Sequence, residues 1–306
     1  MQPLSSFFIP FIFLFISFSF EETQICNQKN WKYTGIDAID VGMSPEGDLY
    51  VIGIDNRIYI YDQVFNTYSL VHADNEVPEP TKITVNDEGT PFVVANCGDI
   101  YFLTFYHHWE KIPGCATDIA VGRGGEVWKL GCLPKENGGY SVSKLSCDSP
   151  ISSPVINVER EFVRFRKDKS DSIENFINYE LLPQREKQKK CYWIDIDGEG
   201  TRIAVGPKGE PYIIAPGGVV MKFENPNWTG IYGQAALDLA ISNEGIIFTA
   251  GVNGNIMRSV VEEMVTWIQI DGTSAMAITA GPFSQPVVAS FFEGKVMTTT
   301  ILYNSI

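Results

Sequence analysis

Histidine, the side chain best suited to moving protons near neutral pH, occurs only at His72, His107 and His108. The adjacent His107 and His108 have no third ligand at zinc-binding spacing, so they read as a turn or strand edge. The run Asp195-Ile196-Asp197-Gly198-Glu199-Gly200 alternates carboxylates, which suits a hard cation such as calcium. It aligns, however, with Glu110–Gly114 and Gln269–Gly272, and so reads as repeated strand and turn. No G-x-S-x-G turn, HExxH helix or Cys–His pairing supplies a nucleophile or a metal-bound water. Asp37 and Asp40 are a carboxylate pair of the kind glycosidases use, but Asp40 shares its slot with Asp118 and Asp238 and reads as structural. The expectation is a protein that is not an enzyme and needs no cofactor or metal.

Recognition chemistry is better represented. Sugars are held by aromatic faces against C–H surfaces and by amides or carboxylates at hydroxyl edges. Asn96, Asp99, Arg123, Trp128, Asn253 and Asn255 fall near loop ends and are the candidate ligand-binding residues, each also explicable as a turn residue. Trp31, Trp109, Trp193, Trp228 and Trp267 recur at one position, where they serve either as sugar platforms or as packing between repeats. The packing reading is preferred.

Met1 to Phe20 carries no charged side chain and contains FFIPFIFLFISF, with small residues suited to cleavage after Ser19. It reads as a signal peptide, residues 1–19, and no other stretch approaches the length of a membrane span. The six cysteines, Cys26, Cys97, Cys115, Cys132, Cys147 and Cys191, are then disulfide candidates in a secreted, extracellular protein. Cys132–Cys147 is the favoured pair, because both flank one presumed strand. Asn227-Trp228-Thr229 is the single N-x-[ST] sequon, making Asn227 the glycosylation candidate.

What positions these residues is a repeat. Ten residues separate Asp40 from Tyr50 and eighteen separate it from Ile58. Lys82, Arg202 and Asp238 stand the same distances from Phe92 and Ile100, Tyr212 and Val220, and Phe248 and Ile256. Turns such as SPEG, DEG, GRGG, PKG and NEG recur in one slot, where glycine accepts positive φ. Four short strands per copy and six copies give an all-β fold, a six-bladed β-propeller of four-stranded antiparallel blades. The propeller occupies 20–306, with 147–190 as an insertion between blades three and four that holds nine of the 23 Lys and Arg residues. That insertion reads as a solvated loop or a partner-binding arm.

The spacing Trp109, Ile112, Gly114, Asp118, Ile119, Ala120, Val121, Gly122, Gly125, Val127, Trp128 resembles the tectonin β-propeller repeat of tachylectin-1, fish-egg lectins and slime-mould tectonins. The resemblance covers Trp31 to about Tyr303 without the insertion. It implies a propeller that binds glycans, lipopolysaccharide included. Tyr68 replaces one leading Trp, and Tyr50, Phe92, Tyr212, Phe248 and Val287 stand where the second Trp belongs.

The 306-residue chain carries a net charge of −14, which disfavours nucleic acid, whose binding needs clustered cations. The partners expected are cell-surface glycans or a cell-surface receptor. The function expected is lectin-like recognition. The alternative is a secreted signalling glycoprotein, such as a protist mating pheromone (gamone).

Overall fold

A computed structural model describes residues 31–147, 191–260, 266–290 and 293–299. The signal-peptide segment, Cys26 and most of the insertion lie outside the described residues. Every long element is a strand, and no α-helix occurs among the described residues.

The chain opens with β1 (Trp31–Met43), β2 (Leu49–Gly53), β3 (Ile58–Asp62) and β4 (Thr67–Leu70). Then come β5 (Pro80–Val85), β6 (Pro91–Ala95), β7 (Ile100–Leu103) and β8 (Trp109–Ile112). The third group is β9 (Asp118–Val121), β10 (Val127–Pro134), β11 (Tyr140–Cys147) and β12 (Cys191–Gly200). The fourth is β13 (Arg202–Val205), β14 (Pro211–Ile214), β15 (Val220–Glu224) and β16 (Asn227–Ile231). The fifth is β17 (Ala236–Ile241), β18 (Ile247–Gly251), β19 (Ile256–Val260) and β20 (Thr266–Ile270). The chain ends with β21 (Ala277–Ala280), β22 (Pro286–Ala289) and β23 (Lys295–Thr299).

Each of the middle groups is one four-stranded antiparallel sheet in chain order. The remaining sheet has seven strands, β21-β22-β23-β1-β2-β3-β4, because β1 serves two neighbours. Its Trp31–Tyr33 end pairs with β23, and its Ala38–Met43 end pairs with β2. The innermost strands β1, β5, β9, β13, β17 and β21 touch in a closed ring. Sheets arranged radially about a ring of inner strands make a β-propeller.

The burial pattern follows from this arrangement. The second strand of each group lies between two neighbouring sheets, so β2, β6, β14, β18 and β22 are buried at every residue. Their sequences LYVIG, PFVVA, PYII, IFTAG and PVVA are accordingly almost wholly apolar. The apolar clusters fill the spaces between successive sheets; one joins Phe92 and Val94 of β6 to Ile119 of β9 and Val127 of β10. Phe92 and Phe248 are each 1% exposed, and burying each side chain contributes about 2–3 kcal/mol.

Two sequence expectations change. The Trp-bearing strand does not open a sheet but closes the preceding one: β8, β12, β16 and β20 are outermost strands. Residues 148–190 therefore join β11 to β12, adjacent strands of one sheet, rather than separate two blades. The favoured Cys132–Cys147 pair is also wrong. Trp128 faces Lys144 and Pro134 faces Tyr140, so antiparallel pairing puts Cys132 and Cys147 at opposite ends of the β10–β11 hairpin. The bonds formed are Cys115–Cys132 and Cys147–Cys191. The latter links residues directly opposite across β11 and β12.

Candidate functional site

The recurring Trp residues act as latches between sheets. Nε1 of Trp193 donates to the Pro113 carbonyl at 2.6 Å, Trp267 to Tyr232 at 2.7 Å and Trp31 to Asp271 at 3.0 Å. Trp228 makes the equivalent bond to Asp197. Each indole lies over the end of the preceding sheet's outermost strand or the link just after it, and two of the glycines beneath, Gly114 and Gly198, have φ of +122° and +141°. Trp109 follows a link without glycine, is buried, and is clamped instead through its backbone N–H and C=O by the Asn75 amide. Tyr68, the substituted position, bonds through its hydroxyl to Thr34 at 2.8 Å. These contacts give the rings a packing role between sheets.

The other candidates are dispersed. Asn96 and Asp99 lie on the β6–β7 turn and Asn253 and Asn255 on the β18–β19 turn, with Asn96, Asn253 and Asn255 exposed. Asn96 donates to Glu79 at 3.0 Å. Asp99 pairs with Lys111 at 2.7 Å, and that contact holds its carboxyl below the usual range. Arg123, on the β9–β10 turn at the other end of the inner strands, pairs with Asp87 at 3.0 Å. Trp128 is buried in β10, where Lys144 covers its ring, so no ligand reaches it. Asn227 is exposed at the start of β16, with Thr229 also exposed, so the sequon is accessible. Cys97 is an exposed free thiol. Asp195 is held by Ser143 Oγ at 2.8 Å, and no metal-holding group of His, Cys, Asp and Glu occurs among the described residues.

Two concavities among the described residues bear on a site. Along the axis lies a cavity of about 120 Å³, walled by inner strands, with Asp40, Lys82, Asp118 and Asp238 inside and Asp87 and Arg123 towards one mouth. That volume has room for only a few waters and is smaller than ordinary small-molecule pockets, which run from roughly 300 Å³ upward. Its charges are mostly satisfied by one another and by backbone N–H groups. Lys82 pairs with Asp40 at 3.0 Å and Arg202 with Asp238 at 3.5 Å.

The second is a groove of about 680 Å³ between the last and first repeats. Tyr61 and Phe283 give it aromatic surface, while Gln63, Asn243, Glu46 and Glu244 give it amides and carboxylates. The turns that build it explain its character. Gly47 and Gly245 take φ of +100° and +81° in the regular turns. The corresponding turn between β21 and β22 reads Gly-Pro-Phe-Ser, and Phe283 and Ser284 adopt φ of 55° and 52° without glycine. Such left-handed backbone at non-glycine residues stores strain, and here it presents a ring that is 65% exposed. Ser284 donates to the Glu244 carboxylate and shares a second hydrogen bond with the Ser242 hydroxyl, tying this turn to the neighbouring one. Burial alone would push the Glu244 carboxyl up, but these hydroxyl contacts outweigh it and hold the group below its usual range. Sequence reasoning missed Tyr61, Gln63, Asn243, Glu244 and Phe283. The available signal was the sixth copy's loss of the Glu-Gly turn.

No protein-family model and no curated protein sequence matches the chain. Among solved structures it is similar to a gluconolactonase of Xanthomonas campestris, with 10% identity, a TM-score of 0.54 and 87% of each chain covered. It is similar to the Cps50 (Swd1) β-propeller domain of Myceliophteria thermophila, with 10% identity, TM-score 0.53, and 87% and 97% of the two chains covered. A streptogramin B lyase gives 13% identity and TM-score 0.51 over 89% and 87%. At such identities the likeness is one of fold alone. The chain is an all-β protein with the β-propeller fold.

Proposed function

We propose that this chain is a six-bladed, tectonin-type propeller that acts outside the cell as a non-catalytic recognition protein, binding a cell-surface glycan. The observation that carries this reading is the groove between the last and first repeats. It is large enough for a sugar and pairs Tyr61 and Phe283 with Gln63, Asn243 and Glu244, the mixture of ring faces and hydrogen-bonding groups that suits a hydroxylated ring. Counting the seven-stranded sheet as two units sharing β1, together with the ring of six inner strands, supports six blades. Two disulfides, and no helix long and apolar enough to cross a membrane among the described residues, are compatible with an extracellular setting.

The carboxylates of Glu46 and Glu244 favour neutral glycans over phosphorylated or sialylated ones, since a second negative charge in the groove would be repelled. A glycan array followed by whole-cell binding tests the reading. Binding to neutral glycans, inhibited by free sugar and weakened about tenfold or more by Phe283→Ala and Asn243→Ala, is expected. Asn96→Ala, on the β6–β7 turn, should leave binding unchanged. Absence of glycan binding, or binding indifferent to both groove variants, would overturn it.

A further inference from the structure

The inner strands carry one more pattern, independent of the groove. The residue ten positions before the core of each second strand is, in ring order, Asp40, Lys82, Asp118, Arg202, Asp238 and Ala277. Charge alternates around the ring until the last place. Each aspartate accepts the backbone N–H just beyond the next strand's slot: Ile83 to Asp40 at 2.7 Å, Ile203 to Asp118 at 3.0 Å and Ile278 to Asp238 at 2.9 Å. Lys82 and Arg202 neutralise two of the three carboxylates. Asp118, between Lys82 and Arg202, is the carboxylate left without an ion pair of its own; a cation in the sixth slot would bring the ring as a whole to neutrality, but that slot holds the buried methyl of Ala277, flanked in the ring by Asp238 and Asp40.

The three carboxylates are 4%, 5% and 8% exposed, so the ring's one excess negative charge is largely shielded from bulk water. A buried charge without a partner is costly, and a carboxylate relieves that cost by taking a proton. We propose that the ring is a one-proton switch, with an incomplete charge alternation that binds a proton on mild acidification and releases it at neutral pH.

The surroundings of Asp238 support this. Arg202 on β13 faces it, with Lys82, Asp40 and Asp118 across the channel on β5, β1 and β9. Tyr212 of β14 belongs to the apolar cluster beside it, and neither β18 nor β21 contributes a titratable group. Desolvation raises Asp238 from the usual 3.8 to about 6 against the opposing pull of Lys82 and Arg202. Asp118 is raised too, again chiefly by desolvation and against the pull of Arg202 and Lys82.

An acid whose folded pKa is raised binds its proton more tightly when folded, so stability falls as pH rises through about 6 and is gained on acidification. One such group makes the unfolding equilibrium about tenfold less favourable at pH 5 than at pH 7.5. Urea unfolding at those two pH values is the test. The wild-type chain should gain about that tenfold, and Asp238→Asn or Asp118→Asn should remove most of the gain. If both variants keep the wild-type difference, the proposal is overturned. Carbon-13 titration of the aspartate carboxyls in the unmodified protein serves should a variant fail to fold. One or more aspartates titrating near pH 6 supports the switch, and all titrating below pH 4.5 overturns it. If millimolar sodium or calcium at pH 7.5 reproduces the stabilisation and abolishes its pH dependence, a metal ion fills the slot and the proton switch is wrong.

Discussion

A methyl group at Gly114 would stand 2.5 Å from Nε1 of Trp193, and one at Gly198 the same distance from Nε1 of Trp228. Both glycines also hold positive φ, so alanine there meets a steric clash and a strained backbone together. Gly114→Ala and Gly198→Ala should each cost about 2–3 kcal/mol in urea unfolding. Gly125→Ala is the control: its φ is +80° but nothing lies within 4 Å, so only the backbone penalty of about 1 kcal/mol remains. Equal losses at all these positions would show that the Trp latch contributes nothing. Trp267→Phe keeps a ring but loses the bond to the Tyr232 carbonyl, and should cost about 1 kcal/mol. The spacing W-x-x-I-x-G and a packing role for its Trp were legible in sequence, but the partner of each ring was not. Trp193 seats on the link at Pro113, 80 residues away, so the partners belong to different copies of the motif. The groove was illegible for the opposite reason. Phe283 sits where one copy breaks the repeat, and a reading built on recurrence discounts such departures.

At the scale of strands, periodicity identified the elements but not their membership. Asp40, Tyr50 and Ile58 fall on three successive strands at the spacing that Lys82, Phe92 and Ile100 repeat. The Trp strand was assigned to the wrong sheet, because position in sequence does not reveal which neighbour supplies hydrogen bonds. The same gap misdirected the cysteine pairing. Flanking one strand puts two residues at its opposite ends, whereas facing one another across strands, as Cys147 and Cys191 do, brings Cα atoms within 4.1 Å. Peptide mapping without reduction should recover Cys115–Cys132 and Cys147–Cys191; any Cys132–Cys147 peptide contradicts the strand pairing. Loop-closure entropy ranks the two bonds. Cys147–Cys191 closes a separation of 44 residues and Cys115–Cys132 one of 17, so replacing each pair with serine should cost about 4 and about 3 kcal/mol respectively. Reversal of that order in denaturant unfolding would show that native-state packing outweighs the unfolded-state constraint.

The whole molecule depends on how its ring is closed, and one strand does this. A propeller whose last sheet lacked its outer strand would expose the edge of β23 and leave the last and first repeats joined only by inner-strand contacts. Here the chain's own beginning supplies the missing strand: Trp31, Lys32 and Tyr33 face Thr299, Thr298 and Met297, and β1 then runs on into the first sheet. Trp31 completes the latch by bonding to the Asp271 carbonyl, and the buried Thr34 donates to Val296 at 2.9 Å. Because the groove with Phe283 and Tyr61 spans the same junction, closure of the ring and the proposed recognition site share a structural cause. A chain beginning at Asp37 should therefore unfold at lower urea than one beginning at Trp31, by about 3 kcal/mol or more, given the lost Trp packing and two hydrogen bonds. It should also lose glycan binding before it loses its β-sheet circular dichroism, since the junction opens while the middle sheets remain paired. The chain beginning at Trp31 is the reference, as it keeps every contact just named. Equal unfolding midpoints for the two would mean that the inner strands alone hold the ring shut, and β1 would then be an extension of the first sheet rather than the clasp of the last.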